Sequence, residues 1–508
     1  MSLHQGKGRE LRRVLVGGLT LTLMLLAGCA NYAGISPQTT LTPISRLSAQ
    51  QVLGDTPISP AAWPERAWWR ALGDPELDAL IDEALADSPD VDAARARLRS
   101  ANAAIASARA SGLPSVDGSA QVSRARVSEV QDPRGQGNFY STTRKLMLSF
   151  DYDLDLWGGK RAAWRAALGE ARAQEIEFHA AALTLSVNVA RAYVSLAHAF
   201  ELRDIANRQL DRAQRIDAIN RELQQAGLDN QLQSLQSQVT VANARQTLEA
   251  AEQSIRSQRI SLATLLGKGP DRGQSIPRPG DLTPAIAALP SVIPAELIGH
   301  RPDVVAARWR VEAASQRIKQ AKAKFYPNLD LTAMAGFQSP LGDYFFSEAA
   351  KSASVTPAIS LPIFEGGRLR ANLESSDADY DLAVSRYNAT LVEALGEVVD
   401  DITTLDSVAL QRQRQQQAVA SARDAYALAD ERYQAGLANY LDVLSSEQQL
   451  LSAEQSLAQL TTQRLDRSVQ LVQALGGGLA LDAAVPHTSG GFPQAPDPAV
   501  VDRESRGT

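Results

Sequence analysis

One cysteine, five histidines and an aromatic content of 5% in 508 residues remove several classes of protein at once. Cys29 has no second cysteine to pair with, so no disulfide framework is expected. His4, His179, His198, His300 and His487 are scattered, and with one thiol they offer no metal-ligand cluster. There is no His-Glu-x-x-His, no phosphate-cradling glycine loop and no Gly-x-Ser-x-Gly elbow, so neither a cofactor, a bound metal nor a catalytic residue is expected. Basic charge is also short. The formal charge is -6, and because residues 1–28 hold four Lys/Arg and one Glu, a chain starting at Cys29 carries 47 basic and 56 acidic residues, or -9. Such a chain has no footprint for nucleic acid. Beyond residue 28 no stretch reaches the roughly 18–20 apolar residues of a membrane helix, so any membrane-spanning part must be built from strands.

What is present begins at the N-terminus. Lys7, Arg9, Arg12 and Arg13 precede an apolar run from Val14 to Leu26, the layout of a secretory signal. The run closes on Leu26-Ala27-Gly28-Cys29, which resembles a bacterial lipobox. That resemblance implies cleavage before Cys29 and acylation of its sulfur and amine; Ala30, in place of Asp, favours the outer membrane. The alternative is an ordinary signal peptide with an incidental cysteine.

The rest of the chain repeats itself at an offset of about 210 residues. Ser88-Pro89-Asp90-Val91 is answered by Arg301-Pro302-Asp303-Val304, and Leu113-Pro114 by Tyr326-Pro327. Trp157-Gly158-Gly159-Lys160 matches Glu365-Gly366-Gly367-Arg368; Gln225-Ala226-Gly227-Leu228 matches Gln434-Ala435-Gly436-Leu437. Leu266-Gly267-Lys268-Gly269 matches Leu475-Gly476-Gly477-Gly478. Each copy predicts a helix opened by proline, two strands, a very long helix (about 160–225 and 368–434) and a return helix (about 229–266 and 439–475). Leu183, Val187, Ala190, Val194 and Ala197 step by four and three, and Leu185, Val189, Ala192 and Leu196 form a second stripe. Two stripes on one helix predict neighbours on both sides, as in the wall of a cylinder. The long helix reaches on the order of 100 Å, and the two shorter helices stacked end to end nearly match it.

Strands are expected at about 115–127, 144–156, 328–338 and 352–364. In the second, Leu146, Leu148, Phe150, Tyr152 and Leu154 alternate with Lys145, Met147, Ser149, Asp151 and Asp153 over about ten residues, the dyad of an outer-membrane strand. Val355, Pro357, Ile359, Leu361 and Ile363 form the corresponding face in the second copy. Any one of these strands alone reads better as a half-exposed soluble sheet; four in two equivalent places, behind a lipobox, favour the membrane. The loops around Asp132-Pro133-Arg134-Gly135 and Pro340-Leu341-Gly342-Asp343 are expected outside the cell. Four strands cannot close a barrel, so several chains must contribute; two give eight strands and three give twelve, and a conduit needs the wider bore.

Together the duplicated units, the lipobox, Trp68-Trp69 with Asp74-Pro75-Glu76-Leu77, the Arg301-Pro302-Asp303 start, the Ala435-Gly436-Leu437 turn and the Ala474-Leu475-Gly476-Gly477-Gly478 close resemble the TolC-like outer-membrane factors. The likeness spans about residues 29–480 and is to the NodT or OprM lipoprotein branch, which serves resistance–nodulation–division pumps. It implies an α+β membrane protein: a homotrimer whose twelve-stranded barrel continues into an α-helical periplasmic tunnel. A periplasmic adaptor and an inner-membrane transporter are the implied partners, with outer-membrane lipid around the barrel, and the implied function is a passive exit duct. By the same resemblance the gate follows the second turn, where Leu441 would form an apolar constriction and Asp442 an acidic ring. Ser445 stands where many relatives carry a second acid. Read from the residues alone, Leu441 also fits a heptad seam with Leu444 and Leu451.

The expected organisation is a signal peptide at 1–28, a lipidated N-terminal segment at 29–87, repeat 1 at 88–267, an equatorial connector at 268–300, repeat 2 at 301–478 and a mobile tail at 479–508. Metal export or type I protein secretion by the same fold, and a lipid-anchored periplasmic coiled-coil spacer, are the competing functions.

Overall fold

The computed structural model describes residues 31–43, 46–47, 50–53, 64–128, 130, 138–227, 230–285, 300–339 and 344–478. Cys29, both outer loops named above, Leu228, residues 286–299 of the connector and the tail lie outside these residues. Eleven elements of ten residues or more follow the duplicated plan: α1 (Pro75–Asp87), α2 (Pro89–Ala110), β1 (Ser115–Val127), β2 (Phe139–Leu154), α3 (Gly159–Gln225), α4 (Gln231–Leu265), α5 (Pro302–Ala323), β3 (Asn328–Ser339), β4 (Lys351–Ser360), α6 (Arg368–Gln434) and α7 (Tyr440–Ala474). The two copies have helices of identical length: 22 residues in α2 and α5, 67 in α3 and α6, 35 in α4 and α7.

Local chemistry sets these boundaries. Ser88 Oγ accepts from the Asp90 amide at 3.3 Å, and Pro89 occupies the first turn of α2. The Asp155 carboxylate accepts from the amides of Lys160 and Arg161 at 3.0 and 2.9 Å, covering the open end of α3. At the far ends, Lys268 N–H donates to Ala263 O and Gly477 N–H to Val472 O, both at 2.9 Å, which closes α4 and α7 through left-handed Gly267 and Gly476. The same two glycines are where helices stack. A Cβ on Gly267 would meet Asp87 O at 2.7 Å, and one on Gly476 would meet His300 O at 2.1 Å. Thus the end of α4 abuts the start of α2, the end of α7 abuts the start of α5, and each stacked pair runs beside a 67-residue helix about 100 Å long. The second junction is reinforced by Arg301, whose buried guanidinium binds Asp303 and Glu397 and reaches the carbonyls of Ala394 and Ala474.

The principal core lies half-way along α3. Leu185, Val187, Val189, Ala190, Tyr193, Leu196 and Phe200 pack against Trp68, Trp69, Leu72, Leu77, Leu80, Ile81 and Ile276. Tyr193 donates to Asp74 Oδ2 at 2.8 Å, and the same carboxylate accepts from the Gly280 amide at 2.9 Å, pinning the connector at this level. Both stripes of α3 are therefore covered, by α2 and α4, by α5 and by α7. Against the expectation from the sequence, one stretch of α3 is apolar enough by length and composition to cross a membrane. Its apolar residues are divided between two buried seams, which is why it serves as an internal helix.

The strands form one antiparallel sheet in the order β1-β2-β3-β4. β2 begins at Phe139, earlier than expected, because Tyr140, Thr142 and Arg144 continue the pairing with β1 after the apolar alternation has stopped. β4 ends at Ser360 rather than 364, because Ser360 pairs with Asn328, the first residue of β3, and no partner extends further. Register places Val116, Gly118, Ala120 and Val122 beside Phe150, Leu148, Leu146 and Arg144. The same face continues through Leu329, Leu331, Ala333, Ala335 and Phe337 to Ile359, Pro357, Val355 and Ala353. Ser149, Asp151, Asp153, Asp330 and Thr332 share the opposite face.

Residues 31–43 form a strap along α6. Arg370 donates to the carbonyls of Asn31 and Ala33, Asp381 accepts from the amides of Gln38 and Thr39 at 3.0 and 2.8 Å, and Asn388 accepts from Thr42 N–H and donates to Thr40 O. Tyr32 meets Phe325 edge-on, and Leu41 packs beside Val304 and Tyr387. Beneath the strap, Asp377 sits in the seam of Leu369, Leu373, Val384 and Tyr387, 4% exposed, with neither carboxylate oxygen hydrogen-bonded among the described residues. Burial, only partly offset by Lys322 and reinforced by Asp381, holds its carboxyl above the ordinary 3.8. A raised folded-state value means no penalty well below 3.8 and a growing one as pH rises through it. Asp377→Asn is accordingly expected to stabilise the protein by on the order of 1 kcal/mol at pH 7.5, with the gain vanishing towards pH 3.5. Thermal melts of both proteins across that range check it; a gain independent of pH would contradict it.

Candidate functional site at the helical tip

At the end remote from the sheet, each long helix reverses into its return helix. In repeat 2 the turn is closed by Leu437 N–H donating to Arg432 O at 2.8 Å and Gly436 N–H to Tyr433 O at 2.9 Å, with Gly436 at φ +72°. Repeat 1 turns through Gly227 at φ +71°. α7 then starts with a reciprocal cap: Asn439 Oδ1 accepts from the Asp442 amide at 3.0 Å, and Asp442 Oδ2 accepts from the Asn439 amide at 3.3 Å. The Asp442 carboxylate is thus held at the positive end of its own helix, exposed, a capping role that sequence reasoning passed over although the Asn-x-x-Asp spacing signals it.

Leu441 is 60% exposed and Leu437 71%. Within its own chain Leu441 does not join the seam suggested by its spacing to Leu444 and Leu451. That seam instead buries Tyr440, Val443, Glu447, Leu450, Leu451 and Glu454, while Leu444 packs at its edge. Leu441, Asp442 and Ser445 face outward together from the first turns of α7.

Sequence reasoning missed what lies behind them. Ile216 of α3, Tyr433 of α6 and Tyr440 and Val443 of α7 form a small core, in which Tyr433 donates to Asn220 Oδ1 and Tyr440 OH lies 3.3 Å from Thr240 Oγ1. Further up, Arg212 of α3 inserts between two acids of α7. Its Nε is 3.3 Å from Glu447 Oε1, its Nη2 is 3.9 Å from Glu454 Oε2, and its guanidinium stands over the Tyr426 ring at 5.6 Å. Arg423 of α6 also reaches Glu454, at 3.5 Å. The side chains of Arg212, Glu447 and Glu454 are only 7–8% exposed. Burial pushes the Glu447 carboxyl up, Arg212 pulls against it, and Asp430 adds to the rise. The available signal was the seven-residue spacing of Glu447 and Glu454 on an otherwise apolar stripe. Three helices from both repeats are therefore joined by desolvated charge immediately behind the exposed turn. Among the described residues no group of three His, Cys, Asp or Glu could hold a metal ion.

This geometry, with its long helix pairs, tip turns and one four-stranded sheet, agrees with the relatives of the chain. The outer membrane efflux protein family profile matches residues 80–268 and 293–477. The chain belongs to that family. The fusaric acid resistance protein FusA of Burkholderia cepacia is 39% identical over 362 residues, covering 70% of this chain and 68% of that protein. The multidrug resistance outer membrane protein MdtP of Escherichia coli K12 is 30% identical over 481 residues, covering 92% and 97%. Among solved structures, the outer membrane protein VceC of Vibrio cholerae superposes with a TM-score of 0.77 at 36% identity, over 82% of this chain and all of that one. As an outer membrane efflux protein, the chain resides in the outer membrane and extends its helices into the periplasm, and its work is transport rather than catalysis.

Proposed function

We propose that this outer membrane efflux protein is the exit duct of a tripartite pump: three chains close a twelve-stranded barrel and a continuous helical tunnel. The supporting observation is the sheet. It carries one apolar and one polar face in register across four strands, and among the described residues its edges β1 and β4 are unpaired. Open edges leave backbone groups unsatisfied in hydrocarbon, so closure by further copies follows if the sheet spans a bilayer. With the relatives named for resistance to fusaric acid and to multiple drugs, small-molecule export is the favoured cargo class. Energy and selection then belong to an inner-membrane transporter of the resistance–nodulation–division type, reached through a periplasmic adaptor that docks at the helical tip.

In this reading Leu441 and Asp442 line the tip, and threefold symmetry makes each a ring. Three converging carboxylates repel one another, so closure rests on the neutral and paired contacts behind them. Cys29 is the acylation site. Asn31, two residues on, is held by Arg370 near the foot of the sheet, so acyl chains on residue 29 enter the membrane beside the barrel. Light scattering of the detergent-solubilised protein is expected to give the mass of three chains, and Cys29→Ser is expected to lose palmitate labelling. A stable monomer would remove the barrel; persistent label would remove the lipid anchor.

A further inference from the structure

The apolar face of the sheet changes character towards the end remote from the helices. On β2 it runs from Leu154 to Leu146, about 27 Å along the strand. The next three ladder rungs on the same face are Val122–Arg144, Arg124–Thr142 and Arg126–Tyr140. Three arginines thus stand on the apolar side, one beyond another, where the apolar band stops. Aromatic rings gather at the same end: Arg124 lies over Tyr140 at 5.3 Å, and Phe337 meets Phe346 edge-on at 5.6 Å.

These cations are not spent among the described residues. Among the described residues no carboxylate lies within ion-pair distance of Arg124, Arg126 or Arg144, and Arg126 has only the neutral Asn138 Oδ1 as partner. Lys351, at a similar level on β4, is by contrast held by Glu348. β1 is an edge strand, but pairing with another copy uses its backbone and leaves its faces unchanged. Arginine on a lipid-facing surface is costly at mid-bilayer and loses that cost only at the headgroups. Its planar fork suits bidentate contact with phosphate.

The geometry points to a binding site for phosphorylated glycolipid of the outer leaflet, lipopolysaccharide, on the ridge formed by Arg144, Arg124 and Arg126. The inference rests on the membrane-spanning reading of the sheet. The apolar band takes the acyl chains, the arginines take the phosphates, and the nearby rings mark the interface. The helices leave from the opposite end of the strands, which assigns this ridge to the extracellular side.

The test uses full-length protein purified in mild detergent, with purified lipopolysaccharide, its dephosphorylated form and phosphatidylglycerol as probes, and bound lipid read by native mass spectrometry. Wild type is expected to prefer intact lipopolysaccharide. Substituting Arg124→Gln, Arg126→Gln and Arg144→Gln together is expected to weaken binding about a hundredfold. The same three positions changed to Lys should keep most of it, and Lys145→Gln, on the opposite face, should change nothing. If the triple variant does not fold, Arg126→Gln alone, at the strand end, carries the test with a smaller loss. Equal binding of the dephosphorylated form, preference for phosphatidylglycerol, or undiminished binding by the Gln variants would overturn the site. A bimane label on Ala120→Cys, read against brominated acyl chains, separates the two layers of the argument. Quenching without lipopolysaccharide binding removes only the ridge, whereas no quenching removes the membrane-spanning reading itself.

Discussion

Arg212→Ala is expected to leave the tip of the tunnel open. The substitution strips from Glu447, which α7 keeps almost wholly from solvent, its hydrogen-bonded partner, while Glu454 keeps Arg423 at 3.5 Å and Arg208 at 3.9 Å. Breaking a buried ion pair by removing one side costs about 3–5 kcal/mol, mostly because the remaining charge stays unpaired. Glu447 can escape that cost by turning towards water, and to do so α7 must swing away from α3. Because α7 carries Leu441 and Asp442 on its first turns, the proposed gate positions move with it. Single-channel conductance in planar bilayers should rise, and cells should become sensitive to bulky antibiotics that the closed tip excludes. Asp442→Ala, which loses a helix cap and, in the proposed trimer, all three carboxylates of the ring, should raise leak less. Removing the stranded charge with Glu447→Gln in the Arg212→Ala background should recover closure. If the double variant leaks as much as the single one, the cluster is a packing feature and not a restraint on the tip.

Leu148→Arg is expected to abolish accumulation in the outer membrane. Leu148 is 60% exposed, lies between Gly118 and Ala335, and sits within the apolar band of the sheet. An arginine on the lipid face near mid-bilayer costs about 2–4 kcal/mol, and the proposed closed ring of three chains would meet that cost three times. Ser149→Arg is the matched control: one residue along the strand the side chain points to the opposite, polar face. Quantifying both proteins in isolated outer membranes decides the matter. Equal yields would mean that neither face meets lipid.

The helical plan was legible because its signals are local. Proline at a helix start, glycine at a helix end and a seven-residue repeat each act over one or two turns. The duplicated landmarks then fixed the long helices to within a residue or two of Gly159–Gln225 and Arg368–Gln434. The strands were legible where apolar and polar residues alternate and not where pairing outlasts alternation, as at the start of β2. At the tip, Asn439 and Asp442 declare a helix cap by spacing alone, yet the Arg212–Glu447 contact joins residues 235 apart and no local rule marks it. Burial of charge there is a property of three helices meeting. The same holds for Arg301, which takes the place of Ser88 in the duplicated plan but spans to α6 and α7 instead of capping its own helix.

The strap along α6 has a consequence for the order in which the molecule is made. Residues 31–42 are among the first of the body of the chain to be synthesised, and their hydrogen-bond partners Arg370, Asp381 and Asn388 lie about 340 residues later. The beginning of the chain therefore has no seat until repeat 2 exists. Closing so long a loop is slow relative to forming the helix pairs, whose contacts are local. The N-terminal segment is thus fastened last to a body already built, and its seat is made by repeat 2.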